Sequence, residues 1–338
     1  MAGLRPGLAV LGAVGRCFWR ELQSHKSLGG QNFFLFVLLM ALQPESAAFF
    51  LLILAAIVLF SIATDPLAKL PAGRKQTWPL EPGQWTIVRL GSLLFTPLSF
   101  VAAFLAFKAD WGGLLALAGV VGTRLLAGQF ASRVPQFGWR AWLLRIPSLP
   151  GCFGSLMRMH WRAMAQTLDL YMACLIAMAT ACYGFSGHAL PDRARTIIAL
   201  LIVLALSTQT QVLIEMDGPG FVRYRYWPLR GWKILLAKDA ASLLVLGILT
   251  SMTDPLAGIA GGAAALGVGH HRCVRPTSVQ MPWRFTQGSL GLGALQIIGI
   301  FLAGMAAMEV WWTGPICVGL LMLSIVVYGR MWDRTDQK

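Results

Sequence analysis

Residues 168–213 read LDLYMACLIAMATACYGFSGHALPDRARTIIALLIVLALSTQTQVL. Two apolar runs, Leu168–Phe185 and Ala194–Leu213, flank a short turn that ends at Arg193, with Arg195 at the start of the second run. A membrane-spanning helix needs about 20 mostly apolar residues, and each run has that reach. The segment reads as a pair of spans with a short outer connection.

Further runs of this kind are Ala47–Thr64, Trp85–Phe107, Leu235–Ser251, Gly288–Met308 and Gly314–Val327. Two more, Gly112–Leu126 and Pro255–Gly269, are rich in glycine and alanine. The first run, Asn32–Leu42, is short and ends at Pro44 and Glu45, so residues 32–45 read either as a span or as a re-entrant element. The fold expected is an all-α polytopic bundle of about ten spans.

Composition agrees. The chain has 338 residues, 57% hydrophobic and only 12% charged, against about 25% charged in a soluble domain. The net charge of +14 does not point to nucleic acid, because the basic residues lie between apolar runs rather than in a domain of their own. Anionic lipid head groups suit them better. The six cysteines contain no CxxC pair, and most sit in or beside apolar runs, so no disulfide framework is expected. No small-residue cleavage site follows a clean apolar core near the amino terminus, so no cleaved signal peptide is expected.

Lysine and arginine set the orientation. With ten spans and a cytoplasmic amino terminus, only Lys108, Arg193 and Arg195 of the 28 basic residues face outward. Both termini are then cytoplasmic, and the membrane is the cytoplasmic (inner) cell membrane.

The chain also repeats itself. Arg16-Cys17-Phe18-Trp19-Arg20 matches Arg158-Met159-His160-Trp161-Arg162, and Trp78-Pro79-Leu80 matches Trp227-Pro228-Leu229 at an offset of 149. Each Trp-Pro-Leu has an arginine four residues earlier (Arg74, Arg223), a further tryptophan (Trp85, Trp232) and a later cation (Arg89, Lys238). Interfacial enrichment of tryptophan and arginine explains the composition but not this matched spacing. The division expected is a first repeat in residues 1–150, a second in 151–287, and two terminal spans with a tail in 288–338. The repeats are parallel, so both Trp-Pro-Leu loops face the cytoplasm. Residues 7–26 and 151–167 are basic and partly apolar, and suit helices lying in the membrane interface.

An interfacial Trp-Arg helix, two spans, and a loop of the form Asp65-Pro66-Leu67-x-x-Leu70-Pro71-x-x-Arg74 before Trp78-Pro79-Leu80 resemble the membrane subunit of a type-2 ABC exporter. In that family an "elbow" helix precedes the first span, and the loop between spans two and three is a coupling helix that docks on a separate ATPase. The familiar protomer has six spans and one such loop; here the count is four plus six, with two loops. The resemblance implies a permease subunit, with docking at Lys69, Arg74, Lys75 and Trp78 and at Arg223, Arg225, Trp227 and Arg230. It implies a soluble ATPase partner, and a homodimer or a pseudo-dimer within one chain. No catalytic, cofactor or metal residues are expected. ATP hydrolysis is assigned to the partner, because no G-x-x-x-x-G-K-[ST] occurs, and neither H-E-x-x-H nor G-x-S-x-G is present. Two competing functions are an ion-coupled secondary transporter, which needs ionisable groups near the bilayer midplane, and an intramembrane enzyme acting on lipids, which needs converging polar residues.

Weaker signals have bland readings. His270, His271 and Cys273 would make half a metal site but read as a polar cytoplasmic loop. Asp169, Glu215, Asp239 and Glu309 read as interface residues near span ends, with Asp239 and Lys238 a local ion pair. Gly258 and Gly262 form a GxxxG that favours close helix packing.

Overall fold

The computed structural model describes residues 5–24, 78–95, 97–108, 111, 113, 115, 118, 151–187, 189–213, 229–275, 285–286 and 288–335. The described residues are helical, with no strand among them. The run Ala47–Thr64 and residues 32–45 lie outside them, as does most of Gly112–Leu126.

The chain divides into two compact units, one formed by Met1–Lys26 and Ala41–Trp142, the other by Ser27–Met40 and Leu143–Lys338. In the first, α1 (Arg5–Ser24) packs along α2 (Pro82–Leu94). A Cβ at Gly91 would stand 2.5 Å from Leu11 Cδ2, so this glycine sets how closely the helices approach. α2 opens at Glu81, whose N–H donates to Gln84 Oε1 at 3.2 Å, with Pro82 in the first turn, where its missing N–H costs nothing. The run Trp85–Phe107, continuous in sequence, is divided: α2 ends at Leu94 and α3 (Pro97–Lys108) begins at a proline that cannot donate to the preceding turn.

The first described element of the second unit is a short amphipathic helix, α4 (Gly151–Met164), followed by α5 (Leu168–Phe185) and α6 (Asp192–Ser207), which runs into a 3-10 turn at Thr208–Gln211. Four more helices follow: α7 (Gly231–Thr250), α8 (Pro255–Cys273), α9 (Leu290–Glu309) and α10 (Thr313–Thr335). Four helical stretches among the described residues are long and apolar enough to cross a membrane: Leu168–Phe185, Asp192–Gln211, Gly291–Glu309 and Thr313–Arg334. The chain therefore has the character of a membrane protein.

α8 is the centre of this unit, touching α6, α7, α9 and α10. Its small residues make that possible. Gly258 and Gly262 pack on Thr250 and Leu246 of α7, and Gly261 packs on Leu200 and Ile300. The GxxxG is thus a packing face, as small residues usually are between membrane helices. Asp254 caps α8 by accepting from Ala257 N at 3.1 Å and also accepts from Thr196 Oγ1 at 2.7 Å, which joins the start of α6 to the α7–α8 turn. At the other end, Asp333 Oδ1 accepts from Gly231 N at 2.7 Å and ties the end of α10 to the start of α7. The outer helices α9 and α10 expose Leu295, Ile298, Leu302, Leu320 and Leu323.

Charge separates along the bundle. Arg230, Lys233, Arg272, Arg275, Arg330 and Arg334 gather where α7 starts and where α8 and α10 finish. Asp192, Arg193, Arg195, Asp254 and Glu309 belong to the opposite end.

Candidate functional site: a buried polar core

Of the residues expected to dock a partner, Lys69, Arg74, Lys75, Arg223, Arg225 and Trp227 lie outside the described residues. Trp78 stacks on Trp85, with ring centroids 5.6 Å apart and planes 15° apart. Arg230 is exposed at the N-cap of α7, in the second unit. The 149-residue offset that relates the two Trp-Pro-Leu motifs also relates Glu81 to Arg230, and both are N-caps of the helix that follows.

The chemistry of the second unit lies in its interior. α6 gives way to the 3-10 turn at Thr208-Gln209-Thr210-Gln211, and all four of these side chains are buried. A polar segment survives there only if its groups find partners. Gln211 Nε2 donates to Gln296 Oε1 at 2.7 Å, and Gln211 Oε1 accepts from Ser289 N at 2.8 Å. Gln296 Nε2 donates to Thr210 Oγ1 at 2.6 Å and to Ala265 O at 2.7 Å. Gln209 Nε2 donates to Thr167 Oγ1. Gly269 admits the turn against α8, since a Cβ there would meet Thr210 O at 2.7 Å.

Around this turn lie ionisable groups. Lys238 Nζ donates to Thr210 O at 2.8 Å and stands 3.7 Å from Asp239 Oδ1. Asp239 Oδ2 is 2.7 Å from His270 Nε2, and His270 Nδ1 is 2.8 Å from Ser324 Oγ. Lys238, Asp239 and His270 are 4%, 1% and 0% exposed, so these charges are out of reach of head groups. A second carboxylate, Asp169, is fully buried and accepts from Thr286 N at 2.9 Å, Thr286 Oγ1 at 2.6 Å and Thr208 Oγ1 at 3.2 Å.

Two expectations are corrected by this geometry. Asp169 and Asp239 are interior residues rather than interface residues; helix packing closes over them because each has hydrogen-bond donors or a counter-charge. His270 and Cys273 are buried in the last turns of α8, not in a polar loop. They lie one helical turn apart, on the side that α7 and α10 cover. Among the described residues no group of three or more His, Cys, Asp or Glu is arranged to hold a metal. The ion pair read between Lys238 and Asp239 is present, with His270 as a third member.

α4 closes one side. Trp161 Nε1 donates to Ala241 O at 3.0 Å, and His160 is buried beside the Lys238–Asp239 pair. Burial, then the Lys238 charge, pushes the His160 imidazole down to about 3, with Asp239 opposing.

The arrangement of Ser324, His270 and Asp239 has the order of a nucleophile, a base and an orienting acid. Ser324, however, sits in the middle of α10, where the backbone N–H groups are spent on the helix ladder and leave no oxyanion donors. Proton exchange is the chemistry the arrangement favours.

Comparison with known families, characterised proteins and solved structures finds no match for this chain.

Proposed function

We propose that the chain is the permease subunit of an ATP-driven exporter of the type-2 ABC kind, in the cytoplasmic (inner) cell membrane. One observation carries this reading. Among its described residues from Gly151 onward, the second unit runs in the order amphipathic helix, two helices, then four helices, with the basic sequence of residues 214–230 between the two groups. An elbow helix, six spans and a coupling loop after the second span make up the familiar protomer of that family. In this reading α7 and α8 span together with the four long apolar helices, the basic end of the unit faces the cytoplasm, and residues 1–150 add four spans to make about ten. Lys69, Arg74, Lys75 and Trp78, with Arg223, Arg225, Trp227 and Arg230, dock a separate soluble ATPase. The test is co-purification of the chain with a nucleotide-binding subunit. Reversing Arg74 and Arg223 to glutamate is expected to lose that subunit while the chain stays monodisperse. A transporter active with no ATPase overturns the proposal.

A second reading, an ion-coupled secondary transporter, is favoured by the Lys238–Asp239–His270 cluster, because ionisable groups inside a membrane bundle mark ion paths. Substrate accumulation in ATP-free vesicles under an imposed ion gradient tests it.

A further inference from the structure

We propose that the Asp239–His270 pair is a proton-binding site inside the second unit, reached through the hydroxyl of Ser324. The inference deepens the second reading above by naming the ion and the groups that carry it. It also stands if ATP drives the chain, because a bound proton can serve either cycle.

The geometry supplies a continuous relay. Ser324 is the one partly exposed member and lies on α10, an outer helix; its Oγ is 2.8 Å from His270 Nδ1. On the far side of the ring, Nε2 is 2.7 Å from Asp239 Oδ2. Asp239 Oδ1 accepts no hydrogen bond among the described residues and has Lys238 Nζ at 3.7 Å. The Ser324 hydroxyl, which also donates to Gly267 O at 3.4 Å, turns toward Nδ1; a hydronium ion that gives a proton to Ser324 Oγ leaves a water, and the hydroxyl hydrogen passes to Nδ1. The Nε2 hydrogen stays on the ring against Asp239 Oδ2, so the loaded pair is an imidazolium beside a carboxylate. One proton enters, none is lost, and no bond between heavy atoms changes.

The charge balance of the cluster sets what an added proton meets. With neutral His270, the Lys238 and Asp239 charges cancel. A proton added anywhere in the pair leaves one net positive charge in a dry interior, which is unfavourable without water or a counter-charge. The other titratable groups around the pair do not offset the added charge: Lys238 is the cation of the pair, His160 lies beside Lys238 and Asp239, the Cys273 thiol is buried next to both, and Tyr328 lies tilted against His270, ring centroids 5.8 Å apart, and edge-on to His271. Thr210 and Gln296, from the 3-10 turn and α9, contribute no charge.

The test is infrared difference spectroscopy of the full-length protein in lipid, with the perfusing buffer cycled between alkaline and acidic. It reads protonation rather than transport, so its failure is distinct from failure of ion-driven transport. The expected result is an imidazolium ring band lost in His270→Gln and kept in His271→Gln. A spectrum unchanged by His270→Gln overturns the site. If His270→Gln does not give a monodisperse protein, Ser324→Ala decides, because it keeps both ionisable groups. Slower appearance of the band is then expected, and appearance at the wild-type rate overturns the relay.

Discussion

The carboxylate of Asp239 and the imidazole of His270 meet at 2.7 Å between α7 and α8, and neither group is open to solvent. Removing one member of such a cluster leaves the others buried without compensation, at about 3–5 kcal/mol. Asp239→Ala should therefore lower the thermal unfolding midpoint in detergent sharply. Lys238→Met with Asp239→Leu removes both charges, and the double variant should be more stable than Asp239→Ala. Equal loss in the two would mean that hydrogen bonding, not charge, holds the cluster.

Gly269 and Gly267 form a matched pair on α8. A Cβ at Gly269 would press on the carbonyl of Thr210 at 2.7 Å, whereas a Cβ at Gly267 meets nothing within 4 Å. Gly269→Ala should destabilise by about 1–3 kcal/mol, the usual range for overpacking. Gly267→Ala should be neutral or gain up to about 1 kcal/mol from helix propensity. Unfolding curves for the two variants and the parent check the contrast.

His160 gives a pH dependence of known sign. Its folded value of about 3 lies below its ordinary 6.5, so between these limits the unfolded chain holds the extra proton. The neutral imidazole is fully tolerated above the upper limit. Stability is then lost as pH falls toward the lower one, by roughly 1.4 kcal/mol per pH unit. His160→Leu should flatten the slope by about that amount over the upper part of the window. An unchanged slope would remove His160 as its source.

The helices of the second unit were legible because their signals are local. Leu168–Phe185 is read with the bounds it has, and Asp254-Pro255 marks the start of α8 by a cap and a first-turn proline. The polar core was not legible. Each of its members looks like a span-end residue when read alone, and only the antiparallel return of α8 along α7 sets His270 against Asp239. A partial signal was present: counted from the turn at residues 251–254, the two lie within about one helical turn of the same depth. Thr208–Gln211 was hidden differently. Its four polar residues close an apolar run, and no local rule says that Gln296, 85 residues beyond Gln211, arrives to satisfy them.

The joint between α7 and α10 yields the last prediction. Asp333 Oδ1 holds the N–H of Gly231, and the helices cross so closely that a Cβ on Gly231 would meet Gly329 O at 2.8 Å. α7 begins where the basic stretch 214–230 ends, so in the permease reading this joint lies where a docking force would enter the bundle. A carboxylate on the first N–H groups of a helix also opposes its positive end. Asp333→Ala should cost about 0.5–2 kcal/mol, the range for a lost cap, and Asp333→Asn, which keeps an acceptor oxygen, should cost less. Hydrogen exchange of the amides at residues 231–234 locates the effect. Faster exchange confined to this turn in Asp333→Ala fits a local clamp. Unchanged exchange there, or loosening spread over α8 and α9, would show that the contact does not hold the start of α7.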